Sequence, residues 1–179
     1  MKVVIIAVLL MLSAICSATE TAFSSCNRIR LKKLADDGNK SAKKAMNICD
    51  NFDKALTAIL VGNNVVNISS SSIATVLFTE KFGKGSVGLA TVVMTVLVLI
   101  FGEILPKSLA KENSERFSIL MAAPLSAFMF IITPITAIFM GIKSGVSKLV
   151  GNKNSEPSVT EEELKYIIDE IQDLSLIHI

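Results

Sequence analysis

The feature that most constrains this chain is the distribution of its charged residues, which leaves long apolar runs almost uncharged. The charges of the 179-residue sequence crowd into residues 27–54, 103–116 and 143–173. The first apolar run extends from Val3 to about Phe23, and about 20 residues are enough to cross a hydrocarbon core of roughly 30 Å. Soluble domains have a similar apolar fraction, so the 51% hydrophobic content decides nothing by itself. The spacing of the apolar runs therefore predicts an α-helical protein that crosses a membrane several times.

A secretory signal peptide is the alternative interpretation of the first run. Lys2 precedes the run, small residues follow around Ala14 to Ala18, and Cys16 also fits a lipoprotein signal. Three further apolar segments follow along the chain. Their presence favours a retained first span over a cleaved leader.

Residues 27–54 form a polar and strongly basic connection. Gly38 is expected to divide it into two short helices at the membrane surface, and a solvated basic linker is the alternative. Loops rich in Lys and Arg stay on the cytoplasmic side of a membrane, so this connection is predicted to be cytoplasmic and the N-terminus outside. Eight positive charges carry that prediction: Arg28, Arg30, Lys32, Lys33, Lys40, Lys43, Lys44 and Lys54.

Two more spans are predicted after the basic connection. The second covers residues 55–78 and the third covers residues 86–110. The linker between them, residues 79–85, is short, so the two spans are expected to be antiparallel neighbours. The basic residues at the end of the third span then fall on the cytoplasmic side, in agreement with the positive-inside rule. They are Lys107, Lys111 and Arg116.

The fourth apolar stretch, residues 117–142, is interrupted by Pro124 and Pro134. Proline kinks or ends helices, so these residues are expected to split the stretch into short pieces. We predict a kinked juxtamembrane region over residues 117–148 that lies in the inner interface or is re-entrant, which leaves the C-terminus cytoplasmic. A fourth full span, with the C-terminus outside, is the alternative.

The last part of the sequence resembles the start of a soluble domain. Residues 151–158 are a linker, and Thr160 with Glu163 makes a capping box. Apolar residues then recur at helical spacing, which predicts an amphipathic helix. The stripe consists of Leu164, Ile167, Ile168 and Ile171. We therefore divide the chain into a membrane domain at 1–150 and, at 151–179, a linker and the first helix of a truncated cytoplasmic domain.

Composition excludes several function classes. The net charge of +2 carries no basic stripe interleaved with aromatic residues, so nucleic acid is not an expected partner. Cys16, Cys26 and Cys49 show no C-x-x-C spacing, and we interpret them as unpaired thiols. His178 is the single histidine and cannot build a histidine metal site. No Ser/His/Asp set, zinc motif or phosphate-binding glycine loop is present, so the chain is not predicted to be an enzyme.

Polar residues inside the predicted spans are the candidate functional residues, because such residues are expensive in a bilayer. Asn63 and Asn67 are four residues apart and lie on one helix face. Ser17 adds an oxygen from the first span. These residues come from two spans and offer neutral oxygen ligands.

The third span adds an acid and a freed carbonyl. Glu103 is the one acid within its apolar part, and Pro106 has no N–H to donate to the carbonyl of Gly102. The assembled set is all oxygen, which suits hard cations such as Mg²⁺ and Ca²⁺ better than Zn²⁺ or copper. A single acid leaves a dication partly uncompensated, as a site that must release its ion requires.

Each of these residues also has a structural interpretation. Asparagine and serine side chains, including the run Ser69 to Ser72, commonly join membrane helices through hydrogen bonds. Glu103 can pair with Lys107, four residues later. Glu20, near the inner end of the first span, fits a boundary charge or a partner for a basic residue of the following loop.

In four stretches the sequence resembles the cyclin-M/CorC family of magnesium transporters. The stretches are SAICSATETAFSS at 13–25, ILVGNNVVNISSSSIAT at 59–75, FGEILPKSLA at 101–110 and SVTEEELKYIIDEI at 158–171. Their order and spacing also match over about 160 residues of the chain. The first three cover the family's transmembrane domain, and the last resembles the entry to its cytoplasmic CBS-pair domain.

The resemblance implies an all-α membrane protein with three transmembrane helices, a juxtamembrane region and a cytoplasmic helical hairpin between the first two spans. It implies a homodimer in the lipid of a plasma or inner membrane, with Mg²⁺ exported by alternating access and Na⁺ entry as the coupling. Carried over by position, the ion ligands are Ser17, Asn63, Asn67, Gly102 and Glu103. The CBS pair is missing, so nucleotide regulation is not carried over, and the serine run at 69–72 has no assigned role. A membrane-anchored scaffold without transport and a pore-forming protein are the rival functions.

Overall fold

The computed structural model describes residues 1–150, with side chains described as far as residue 135 and again at 141 and 145. The predicted linker, capping box and amphipathic helix at 151–179 lie outside the described residues. Met1–Ile138 form one compact unit, which contains all the candidate ion ligands.

The described part of the chain is α-helical, as predicted for the fold class. A continuous helical rod is formed by α5 (Val87–Leu97), a π-helical segment (Val98–Ile104) and α6 (Leu105–Glu112), preceded by a short 3-10 turn at Lys84–Ser86. The other helices are α1 (Lys2–Ser25), α2 (Arg28–Asp36), α3 (Lys40–Asp50), α4 (Phe52–Phe82) and α7 (Ser114–Val150).

Three helical segments of the described residues are long and apolar enough to cross a membrane: Lys2–Ser25, Lys84–Glu112 and Ser114–Ile135. The number of candidate spans agrees with the prediction, but one of the helices that provide them differs. The predicted second span lies within α4, whose asparagines and serines lower its mean hydropathy below that of the other three. The fourth apolar stretch, within α7, meets the criteria of length and composition instead.

The basic connection folds into a helical hairpin, as predicted. Asn27 caps α2 by accepting a hydrogen bond from the Arg30 amide at 3.1 Å. Asn39 caps α3 in the same way, and Gly38 joins the two helices with a φ of 91°, a conformation that glycine adopts readily. The connection is therefore two capped helices and not a solvated linker.

Helices α1 and α4 pack antiparallel along their whole length. At one end Lys2 forms an ion pair with Glu80. At the other end Phe23 lies in the same apolar cluster as Ala55 and Ile59. The polar face of α4 is therefore set against α1 between these two ends.

Two apolar cores lie at the two ends of this helix pair. The core at the hairpin end joins residues from five helices: Phe23, Leu31, Ala45, Ile48, Cys49, Ala55, Ile59, Ala122 and Leu125. The smaller core at the opposite end consists of Ile6, Ala74 and Met94. We call them the hairpin-end core and the distal core. Buried polar side chains of α1 and α4 lie between them, so the polar layer is sealed at both ends by apolar packing.

Helix α7 corrects the expectation that the prolines divide the fourth apolar stretch. Its backbone is helical from Ser114 to Val150, and both Pro124 and Pro134 lie inside it. Each proline removes one helix hydrogen bond. Both proline side chains are exposed, so neither ring is forced against a neighbouring helix. The packing of Ala122 and Leu125 in the hairpin-end core holds the helix across the first of them.

The contact between α7 and α4 depends on Gly62. A Cβ atom at this position would lie 2.7 Å from Cζ of Phe128, so Gly62 leaves the space that the ring fills. We expect Gly62→Ala to lower the free energy of unfolding by about 1 kcal/mol or more relative to Gly88→Ala, because overpacking outweighs the gain in helix propensity. Gly88 is the matched control, since nothing lies within 4 Å of a Cβ there.

Thermal unfolding in detergent measures both variants against the parent protein. The double variant Gly62→Ala/Phe128→Leu should recover much of the lost stability, because the shorter side chain vacates the overlap. Equal melting temperatures for Gly62→Ala and Gly88→Ala would contradict the assigned contact.

Candidate functional site

The centre of the polar layer is a hydrogen bond between α1 and α4. The hydroxyl of Ser13 donates to Oδ1 of Asn63 at 2.9 Å, and Ser13 is fully buried. A polar side chain in an apolar bundle needs such a partner, because hydrocarbon offers none. This bond fixes the register of α1 against α4 at mid-height.

Gly102 brings the third helical rod to the same point. A Cβ on Gly102 would lie 2.9 Å from Oγ of Ser13 and 3.5 Å from its Cβ, and Gly102 is buried. Only a residue without a side chain allows the rod to come this close to α1. Ser13, Asn63 and Gly102 therefore converge on one location contributed by three helices.

The backbone at Gly102 departs from a regular α-helix. Residues Val98–Ile104 form a π-helical segment, in which the amide of Leu105 donates to the carbonyl of Ile100, five residues earlier. Pro106 follows directly, and its ring would clash with the carbonyl of Gly102 in a regular helix. The wider turn relieves that clash. Sequence reasoning predicted a perturbed turn before Pro106, and π-helical segments of this kind are frequent at functional sites.

Two of the predicted ligands carry buried oxygens without a partner among the described residues. They are Oγ of Ser17, which is a fully buried residue, and Oδ1 of Asn67. An unsatisfied buried polar atom costs about 1–3 kcal/mol. Two such atoms beside the Ser13–Asn63 bond are the strongest sign in the structure that this layer accommodates a ligand.

The two oxygens lie on opposite sides of the central bond. Ser17 follows Ser13 by one turn towards the hairpin end, whereas Asn67 follows Asn63 by one turn towards the distal core, because α1 and α4 are antiparallel. At 1.5 Å of rise per residue, the α-carbons of Ser17 and Asn67 are about 12 Å apart along the bundle. A single Mg²⁺ has oxygens at about 2.1 Å, so these two groups do not meet at one ion in this conformation.

Glu103 follows Gly102 on the π-helical segment and is half-buried. Among the described residues it has neither a hydrogen bond nor an ion pair. Its suggested partner, Lys107, instead contacts Glu20 of α1 at 3.4 Å. Glu20 therefore pairs with a basic residue, as one of its two interpretations predicted. That residue belongs to α6 and not to the loop that follows α1. Glu103 remains the carboxylate available to the polar layer.

A cavity of about 420 Å³ adjoins the layer between α4 and the rod. Asn67, Ser71 and Thr75 recur along one face of α4 as its polar lining, and Thr95 faces them from α5. Ser70, three residues after Asn67, is fully buried and its hydroxyl has no partner among the described residues. The serine run therefore extends the polar layer towards the distal core.

The donor set consists of neutral oxygens and one carboxylate. Within residues 1–150, no group of three or more His, Cys, Asp or Glu side chains gathers into a metal cluster. The chemistry available is therefore the coordination of a hard cation by hydroxyl, amide and carbonyl oxygens, with partial charge compensation by Glu103. No nucleophile activated by a base is part of this layer.

These observations define a polytopic helical membrane domain built around a buried layer of oxygen atoms. The sequence matches the family described as the Cyclin M transmembrane N-terminal domain over residues 4–176. The chain belongs to this family, which is a family of membrane transport domains and not of enzymes.

Relatives in bacteria and plants support the assignment. The chain is 36% identical over 169 residues to a UPF0053 protein of Haemophilus influenzae and 32% identical over 162 residues to the UPF0053 inner membrane protein YfjD of Escherichia coli. A chloroplastic DUF21 domain-containing protein of Arabidopsis thaliana is 35% identical over 165 residues. These alignments cover 93%, 89% and 92% of this chain, but 40%, 38% and 25% of the relatives. The chain therefore spans two fifths of the bacterial relatives, or less.

Sequence reasoning missed Ser13 as a site residue. Its partner Asn63 is 50 positions away, so helical spacing does not connect the two. The spacing of Ser13 and Ser17, four residues apart on one face of α1, is the signal that points to both together. The structure gives Ser13 a hydrogen bond to α4, whereas the Ser17 hydroxyl has no partner among the described residues.

A side chain at Gly102 should disturb the site more than the fold. We expect Gly102→Ala to displace the Ser13 hydroxyl from Asn63, because a Cβ would lie 2.9 Å from it. The variant should lose about 1–3 kcal/mol of stability. Adding Ser13→Ala removes the clashing oxygen and should restore most of the melting temperature. A melting temperature unchanged in Gly102→Ala would contradict the close approach.

Proposed function

We propose that this chain is the membrane domain of a Mg²⁺ transporter. The observation that carries the proposal is the pair of buried oxygens without partners, on Ser17 and Asn67, next to the three-helix contact of Ser13, Asn63 and Gly102. Membership in the Cyclin M family supports the choice of Mg²⁺ as the transported ion.

The proposed ligands are Ser17, Asn63, Asn67, Gly102 and Glu103, and we add Ser13 because it bonds to Asn63. The ion sits at the level of the central contact. Asn63 and Gly102 both lie beside Ser13 there, and Glu103 follows Gly102 in the sequence. Ser17 and Asn67 supply oxygens one turn to either side. Together they form successive steps for an ion moving past the contact of α1, α4 and the rod.

Such a donor set is suited to transient binding. Mg²⁺ holds its water strongly and demands six oxygens in near-octahedral order. One carboxylate neutralises half of its charge, and the neutral oxygens contribute only dipoles. The ion is therefore held firmly enough to enter a water-excluded layer, but loosely enough to leave it.

Transport then requires the layer to open alternately at its two ends. The distal core of three residues and the hairpin-end core of nine close the layer on opposite sides. We propose that relative motions of α1, α4 and the rod expose the ion first to one side and then to the other. Efflux of Mg²⁺ driven by entry of Na⁺ is the coupling proposed for the complete transporter.

We propose a plasma or inner membrane location, with the N-terminus outside and the basic hairpin in the cytoplasm. The eight positive charges of residues 27–54 support this orientation. Apolar side chains such as Val8 and Met11 on α1, and Val92 on α5, are more than half exposed. Lipid or a second copy of the chain can cover them, and we propose a homodimer formed through the membrane domain.

The test is Mg²⁺ movement into proteoliposomes with an enclosed magnesium indicator. We expect Glu103→Gln and Asn67→Ala to reduce the initial rate at least tenfold, because each removes an oxygen that compensates a dehydrated dication. Asn64→Ala is the matched control. Asn64 is exposed, and its amide bonds only to the carbonyl of Leu60 on its own helix at 2.9 Å, so its loss should leave the rate near that of the parent.

Three outcomes decide the proposal. Equal rates for Asn67→Ala, Glu103→Gln and the parent would remove the site. Equal losses in Asn64→Ala and Asn67→Ala would mean that α4 has been damaged generally. Parent protein that folds, but neither binds nor moves Mg²⁺, would favour a scaffold role for the domain.

A further inference from the structure

Two cysteines that no motif connects are in contact at the hairpin end of the bundle. Sγ of Cys26, at the end of α1, lies 3.5 Å from Sγ of Cys49, in the last turn of α3. Both are free thiols. They are 23 positions apart in sequence, so only the folding of the hairpin back onto α1 brings them together.

The pair is shielded but accessible to a small reagent. Cys49 is 2% exposed and belongs to the hairpin-end core, whereas Cys26 is only partly buried at the edge of that core. Sγ of Cys26 also contacts the carbonyl of Phe23 at 3.3 Å. The pair therefore presents one approachable sulfur with a protected second sulfur directly behind it.

The surroundings distinguish the two thiols chemically. The hydrogen bond with Cys49 lowers the pKa of Cys26 to about 7, against the opposing effect of burial. Ser118 of α7 and the Arg28 guanidinium lower it further. The same hydrogen bond and burial raise the pKa of Cys49. The charged groups that face the pair are Arg28, whose Nη2 donates to the carbonyl of Cys49 at 3.0 Å, and Asp50 on α3.

We propose that Cys26 and Cys49 form a redox modification site, at which a peroxide oxidises Cys26 and Cys49 resolves the product to a disulfide. This proposal does not depend on Mg²⁺ transport, because the two cysteines are brought together by the hairpin and not by the polar layer. Reactive thiols are expected to be partly exposed and in an electropositive setting, and those of redox sensors often lie beside a resolving cysteine.

The chemistry balances with hydrogen peroxide as the oxidant. The thiolate of Cys26 attacks one peroxide oxygen, an S–O bond forms, the O–O bond breaks, and the departing hydroxide takes a proton to become water. Cys49 then gives up its proton and attacks the sulfur of the sulfenic acid, so that the S–S bond forms and a second water leaves. The two cysteines lose two electrons, and peroxide gains them.

Little movement is needed to close the bond. A disulfide requires about 2.05 Å between the sulfurs, so each must move by less than about 1 Å. The bridge would fasten the end of α1 to the end of α3, just before α4 begins at Phe52. A thiol reductant reverses it, as expected of a regulatory disulfide in a reducing compartment.

The test uses the full chain carrying Cys16→Ser, so that only the proposed pair remains. Protein in detergent is treated with hydrogen peroxide or with dithiothreitol, then denatured, labelled with maleimide and weighed intact. We expect two labels on the reduced protein, none on the oxidised protein together with a loss of two hydrogen masses, and two labels again after dithiothreitol. A tryptic peptide that joins Cys26 to Cys49 identifies the bond.

Single variants in the same background supply the controls. Cys26→Ser and Cys49→Ser should each retain one thiol and form no intrachain bridge. If the buried Cys49→Ser fails to fold, Cys26→Ser suffices, because its side chain is only partly buried. Two labels after peroxide treatment, or a bridge found only between two chains, would overturn the proposal.

The pH dependence of the oxidation separates this pair from an ordinary thiol. With a pKa of about 7, the thiolate of Cys26 is present above that pH and lost below it. The oxidation rate should rise about tenfold between pH 6 and pH 8 and then level off, whereas a thiol with a pKa of about 8.5 would still be gaining rate steeply at pH 8. A rate that keeps rising tenfold per pH unit through pH 8 would contradict an activated Cys26.

Discussion

The hydrogen bond between Ser13 and Asn63 is the interaction on which the arrangement of this domain depends. It joins α1 to α4 in an apolar setting where neither side chain has water as an alternative partner. Gly102 lets the third rod approach the same serine, so one contact sets the positions of three helices. Ser17 and Asn67 lie one helical turn from the bonded residues, so their heights along the bundle follow from that contact.

The sequence predicted the features of the site that are local and missed those that are tertiary. The shared face of Asn63 and Asn67 follows from helical spacing, and the distorted turn at Gly102 follows from Pro106, so both could be predicted. The role of Ser13 depends on a partner 50 positions away, and the contact of Cys26 with Cys49 depends on how the hairpin folds. The spacing of Ser13 and Ser17 places both on one face of α1 but does not identify the partner of Ser13, and no spacing connects Cys26 to Cys49.

The fold was predictable to a similar extent. Apolar length and charge placement predicted the helical membrane domain and the hairpin at Gly38. The unbroken helix α7 was not predicted, because prolines were given more weight than packing. A proline removes one hydrogen bond, but Leu125 and its neighbours in the hairpin-end core hold the helix on both sides of Pro124. The serines and asparagines of α4, in turn, lower its hydropathy, although Asn63 and Ser70 face other helices.

The two ends of the bundle resist separation in different ways. At the distal end, a small core is supplemented by the ion pair of Lys2 and Glu80, whose side chains are 40% and 57% exposed. Attraction between exposed charges is screened by dissolved salt, whereas apolar packing is not. Dissolved salt therefore weakens the Lys2–Glu80 pair at one end and the Arg30–Glu115 pair at the other. The nine-residue hairpin-end core keeps its apolar packing, so the Lys2 end, with only three core residues, depends more on ionic strength.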